Sequence, residues 1–167
     1  YNEGVAGADT GAVDTVTISL VNPTSLTVFS QSKGLLSNNG LLSVSFPEKV
    51  LGNAYYIKVN HRNLLETWSA TPIEFSTTTL YDFTDGANKA YGDNQTEVEP
   101  GVWAIYSGEL NADGFIDTFD SVIWETFNIG FSFGYFPADL NGDGYVDTFD
   151  SPFLEQNNLN FVSALRP

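Results

Sequence analysis

Oxygen-bearing side chains recur at alternate positions in two short stretches of the C-terminal third. The first holds Glu109, Asn111, Asp113, Asp117 and Asp120, the second Asp139, Asn141, Asp143, Asp147 and Asp150. A hard cation needs six to eight oxygens converging on one point, and a short loop supplies them by turning alternate side chains inward. Gly114 and Gly144 stand where such a loop bends sharply, a place a Cβ would strain. Counted from Glu109 or Asp139, positions 1, 3, 5, 9 and 12 offer side-chain oxygens. Position 7, Phe115 or Tyr145, offers its backbone carbonyl, and position 8, Ile116 or Val146, is the apolar anchor. The expected ligands are these twelve residues, and the expected metal is calcium, at two sites.

The two stretches are copies. Leu110 to Ser121 recurs thirty residues later as Leu140 to Ser151, and Glu125, Asn128 and Phe131 recur as Glu155, Asn158 and Phe161. The unit is a loop, a short helix and an apolar tail. Asp117 and Asp147, each with an acid three residues on, form a helix-capping signature. One element therefore starts the helix and holds the metal, and Pro152 is tolerated in a first helical turn.

Before these loops the chain has the period of strands. Val16 to Leu20 alternates apolar and hydroxyl residues, Leu26 and Val28 continue the pattern, and Leu42, Val44 and Phe46 follow a Ser37–Gly40 turn signal. Ala54 to Val59 is the most strand-like run. Glu66 to Ser69, Ile73 to Ser76, Leu80 to Phe83 and Val102 to Tyr106 complete a set of seven or eight. The expected fold class is mainly β: an antiparallel β-sandwich, Ig-like or jelly-roll-like, followed by a small α-helical pair of calcium loops. The expected division is a sandwich over residues 1–107, with a flexible segment over 1–12, and a calcium-binding domain over 108–167.

Charge narrows the partners. The chain carries 21 acids against six bases, a net −15, and ten of those acids lie between Glu109 and Glu155. Nucleic acid and anionic membrane are repelled by such a surface, and no apolar run is long enough to span a bilayer. Cysteine is absent, which removes disulfides and thiolate sites. His61, the only imidazole, has no Ser, Cys or second His in a triad pattern. Glu66 and Glu74 as a glycosidase pair give way to solvent-facing strand acids. Trp68, Trp103 and Trp124 are expected in the core rather than on a sugar platform. No enzyme is expected. Asn94-Gln95-Thr96 matches a glycosylation acceptor, a weak signal by itself.

The paired loops resemble the duplicated calcium-binding repeat of dockerins, in which Asp stands at position 12 of an EF-hand-like loop. The whole chain is similar to C-terminal modules of secreted bacterial proteins in which a small sandwich precedes such a pair. Tyr55-Tyr56-Ile57, His61-Arg62-Asn63 and Glu66-Thr67-Trp68-Ser69-Ala70 carry that second likeness. The resemblance implies secretion or a cell-surface location and a protein partner met at positions 10 and 11, here Thr118, Phe119, Thr148 and Phe149. Burial of both Phe rings under the loops is the expectation from their apolarity. Glu109 departs from the usual Asp at position 1, making the first site the weaker one. The function expected is a non-catalytic extracellular assembly module, such as a self-associating filament or matrix subunit. A dockerin proper and a polysaccharide-binding module are the alternatives, and residues Tyr1 to Thr10 are a candidate donor strand or linker.

Overall fold

The computed structural model describes residues 12–167; the expectations for Tyr1–Thr10 and for nearly all of 1–12 fall outside them. Strand β1 (Ala12–Val21) is the centre of the main sheet because its alternation serves two neighbours at once. Its Val16, Ile18 and Leu20 are buried on one face, and Thr15, Thr17 and Ser19 lie on the other. It pairs antiparallel with β2 (Val28–Ser37) and with β3 (Ala54–Asn60), placing Ile18 beside Ser32 and Val59. Strands β4 (Thr67–Trp68) and β5 (Ile73–Glu74) both pair with β3, giving the order β2-β1-β3-β4 with β5 off the path. A separate ribbon joins β6 (Thr96–Glu99) to β7 (Val102–Ala104).

The main core fills the apolar face of this sheet. Tyr55, Ile57 and Val59 of β3 join the β1 residues, and Leu42, Val44, Phe46, Phe75, Tyr81 and Phe83 cover them. Two expected strands are corrected here. Residues 42–46 and 80–83 are extended or irregular and belong to no sheet. Their apolar period was set by facing a core, and facing a core does not require a ladder. Conversely, β6 alternates acid with Thr and Val on a largely exposed ribbon, so it carries no burial period to read.

Helices α1 (Thr118–Ile129) and α2 (Ser151–Leu159) follow the two loops. Asp117 caps α1 by accepting from Phe119 N at 2.7 Å, while Asp120 accepts from Asp117 N at 2.9 Å. The second helix starts later than its sequence copy suggests. Pro152 stands where Val122 stands in the first copy, so it has no N–H to return to Thr148, and it disfavours helical backbone at Ser151. The local cap survives: Asp147 accepts from Phe149 N at 2.8 Å and Asp150 from Asp147 N at 2.9 Å.

Each loop pairs with the tail of the other repeat. Ile116 N donates to Val162 O and Ala164 N to Gly114 O, while Val146 N donates to Ser132 O and Gly134 N to Gly144 O. Beneath the loops a second core gathers Leu65, Ile116 and Leu154, with Tyr106, Trp124 and Leu140 against them. Leu65 comes from the β3–β4 connection, so this core joins the β half to the loop half. Truncating it leaves a cavity that both halves line. Leu65→Ala is expected to lower stability by about 2–5 kcal/mol, measured by urea unfolding followed by tryptophan fluorescence; a loss under about 1 kcal/mol would show that the two halves do not share a core.

Candidate metal centre

The two loops fold alike, residue by residue. Positions 1, 6, 8 and 12 are buried in both: Glu109, Gly114, Ile116 and Asp120, then Asp139, Gly144, Val146 and Asp150. Asp120 and Asp150 are wholly buried, and Glu109 and Asp139 nearly so. Backbone amides hold these carboxylates. Glu109 accepts from Gly114 N at 2.6 Å and Ala112 N at 2.7 Å. Asp139 accepts from Gly144 N at 3.1 Å and Gly142 N at 2.8 Å. Asp120 and Asp150 accept from Leu110 N and Leu140 N, each at 2.7 Å. Asp113 and Asp143 receive the amides of Phe115 and Tyr145 at 2.9 Å.

Such a ring of amides fixes the carboxylates but does not neutralise them. Burial pushes the carboxyls of Glu109, Asp120, Asp139 and Asp150 above their usual range, the amides pull them part of the way back, and neighbouring acids push them up again. Among the described residues, every ion pair lies elsewhere: Lys58 and Arg166 on Glu66, His61 and Arg62 on Asp14, and Lys89 on Asp85. A buried carboxylate without a counter-charge is costly. Arg62 eases Asp139 only from a distance, as the last of its influences.

These residues fit a hard cation. Each loop supplies acids at positions 1, 5, 9 and 12, an Asn amide oxygen at 3 and a carbonyl at 7, and oxygens of all three kinds serve calcium. Among the described residues, no group of three or more His, Cys, Asp or Glu side chains is already gathered as a metal cluster, because the carboxylates are turned onto the amides of their own loops. Glu109 Oε1 and Asp150 Oδ1 each accept two amides, but Glu109 Oε2, Asp150 Oδ2 and both oxygens of Asp120 and Asp139 accept one and keep a second lone pair for a metal. The loops differ at position 4, where both chains take a left-handed turn. Gly142 takes it at φ 78° without strain, but Ala112 takes it at φ 60° against its own Cβ, at a cost of about 1–2 kcal/mol.

The segment from His61 to Glu66 ties the loops to the sheet, which sequence reasoning did not foresee. Asn63 Nδ2 donates to the carbonyl of Asp139 at 3.2 Å, and Gly108 N to Asn63 O at 2.9 Å. Arg62 donates to the Phe136 carbonyl and, at 2.9 Å, to Asp14, and its guanidinium lies over the Tyr135 ring. Tyr135 in turn donates to Asp14. Burial works to raise the Asp14 carboxyl, but the close imidazole of His61 and the bonds from Tyr135 and Arg62 override it and hold the group well below the usual carboxylate range. His61 has its Nδ1 2.8 Å from Asn63 Oδ1 and its Nε2 2.9 Å from Asp14 Oδ2, the latter off the line of a good hydrogen bond. Burial likewise opposes Glu66, yet Arg166, Trp68 and Lys58 bring its carboxyl down to about 2. Its donors engage Glu66 as a structural anion, at odds with the general-acid half of a carboxylate pair.

The Phe residues at position 11 correct an expectation. Phe119 is 67% exposed and Phe149 72%, not buried under the loops. Each follows its capping Asp by two residues, on the outside of the turn, while Ile116 and Val146 take the inward place. Phe131 and Phe161, just past the helices, are more than three-quarters exposed. Thr118 and Thr148 are exposed beside the first pair. The tryptophans do the opposite: Trp68 is buried with its Nε1 on Glu66, and Trp103 and Trp124 are half-buried. Asn94 of the acceptor tripeptide spends its amide on the Ser163 carbonyl at 3.0 Å.

No family model matches the chain, and no curated protein does. Two solved structures share its fold. They are a C-terminal and an N-terminal interface mutant of a type II cohesin–X–dockerin complex from Acetivibrio cellulolyticus, with TM-scores of 0.54 and 0.52 at 15% identity. In both cases the match covers 94% of this chain and 90% of the other. Among the described residues no helix is long and apolar enough to cross a membrane.

Proposed function

We propose that the chain is a non-catalytic protein–protein assembly module braced by two calcium ions. The observation that carries this reading is the set of four buried carboxylates, Glu109, Asp120, Asp139 and Asp150, with no cationic partner among the described residues. Calcium supplies the missing charge. Glu109, Asn111, Asp113, Phe115 O, Asp117 and Asp120 would hold one ion, and Asp139, Asn141, Asp143, Tyr145 O, Asp147 and Asp150 the other. In this reading residues 108–167 are the calcium domain and the preceding sheet is its platform. Calcium as a brace works where free calcium is high, outside the cell, and the fold neighbours come from a bacterial assembly complex; both favour a secreted or surface-bound bacterial protein.

The exposed Thr118, Phe119, Thr148 and Phe149 are the partner surface in this reading. Solvent-facing aromatics flanked by hydroxyls are the kind of anchors that dominate interfaces. A cohesin partner is suggested by the fold neighbours alone, so it is tested directly. A type II cohesin module immobilised on a sensor should capture the calcium-loaded chain, and Phe119→Asp/Phe149→Asp should weaken capture by about a hundredfold or more without moving the thermal midpoint. Equal capture of the variant would sink this surface; no capture of either would turn the reading to another partner. The polysaccharide alternative lacks an exposed Trp to stack a sugar.

A further inference from the structure

Residues 41–46 have the period of a strand, and among the described residues no strand pairs with them. Leu42, Val44 and Phe46 are half-buried against the main core, while Ser43 and Ser45 are exposed. Among the described residues, no backbone hydrogen bond reaches residues 42–46; the last one before them runs from Ser37 N to Leu41 O at 2.9 Å. Pro47 then ends the run. A run of alternating burial whose amides and carbonyls have no partner among the described residues is a template for another chain, and proteins usually blunt such an edge with charge, proline or a bulge. None of these stands between Leu41 and Phe46.

Charge and pattern indicate what pairs there. From Thr15 to Pro47 the chain has no Asp or Glu and only Lys33, its longest acid-free stretch, although the whole carries −15. A second copy is repelled least along this stretch. The run is also matched to itself. Paired antiparallel about Val44, Leu42 opposes Phe46 and Ser43 opposes Ser45, so apolar meets apolar and hydroxyl meets hydroxyl. A slip of one residue would set Ser against the apolar row.

We propose that residues 41–46 are a self-association strand, joining two copies of this chain through a two-fold antiparallel ladder. The contact gives the assembly reading its self-partner but rests on the β half alone, so it fails separately from the calcium sites. Sedimentation equilibrium of the full chain in saturating calcium tests it. The wild-type chain should dimerise. Ser43→Lys/Ser45→Lys sets cation against cation twice and should weaken the dimer about tenfold or more. Ser43→Lys/Ser45→Glu sets each cation against a carboxylate and should restore it. Both positions are exposed, so thermal midpoints measured at concentrations where every variant is monomeric should not move. A wild-type monomer at every concentration, unchanged dimerisation of the double-lysine variant, or failure of the mixed variant to recover would each overturn the proposal. Loss of the dimer on Phe119→Asp/Phe149→Asp instead would place self-contact on the helical half and overturn it equally.

Discussion

Chelation of calcium is expected to lower the thermal midpoint of this chain by roughly 15–30 °C, the largest effect expected of any single treatment. A ligand present at about a thousand times its Kd stabilises the folded state by about 4 kcal/mol per site. Two sites give about 8 kcal/mol, and a domain of this size shifts by about 2–4 °C per kcal/mol. The estimate requires that the metal-free loops be poor at folding alone, and their burial supports that. Asp120 and Asp150 are inaccessible to solvent, and the acids around them raise each other's carboxyls. Differential scanning calorimetry with calcium, with magnesium and with chelator measures the shift; magnesium, with its demand for tight octahedral geometry, should recover little of it. Titration calorimetry should resolve two ions, the tighter at the Asp139 loop. Glu109 at position 1 and strained Ala112 at position 4 should both weaken the other. An unchanged midpoint with chelator would refute structural calcium.

The parts of this molecule that were legible in the sequence are those where one physical demand fixes residue type. Ile116 and Val146 had to be apolar, Gly114 and Gly144 had to accept a left-handed turn at φ 91° and 89°, and the oxygen-bearing residues ahead of each glycine follow an alternation visible in the sequence. The antiparallel β half was legible for the same reason, through Val16, Ile18 and Leu20. Where two demands gave one pattern, the reading went astray. Leu42, Val44 and Phe46 look like a ladder strand because burial and pairing share a period of two, and among the described residues of one copy only burial operates there. Phe119 and Phe149 look like core because Phe usually is, yet the geometry of the cap turns position 11 outward. Contacts distant in sequence left no trace at all. Nothing in the spacing of Asp14, Arg62 and Tyr135 shows that they meet, although their contacts bind the sheet to the segment between the repeats.

The sign of the chain's response to acid should depend on the metal. Without calcium, Glu109, Asp120, Asp139 and Asp150 have folded-state carboxyls raised above their unfolded values. The folded state then holds more protons than the unfolded state between those values, so stability rises as pH falls through that window. Each group contributes up to about 1.4 kcal/mol per pH unit there. With calcium bound, the same groups are ligands and favour the ionised form, so protons compete with the metal and acid removes stability. Two other carboxyls work against the metal-free gain at lower pH. Glu66 at about 2 and Asp14, depressed further, contribute stability above their unfolded values that is lost as pH falls toward their folded ones. The metal-free chain should therefore stabilise as pH falls through that window and weaken again below the unfolded values of Glu66 and Asp14, where the unfolded state takes up protons that the folded state does not. The calcium-loaded chain should lose stability throughout, and the two midpoints should converge. Thermal melts from pH 7 down to 3.5, with and without chelator, separate this from a generic acid effect. Parallel decline of both curves would mean that the buried loop carboxylates do not govern the metal response.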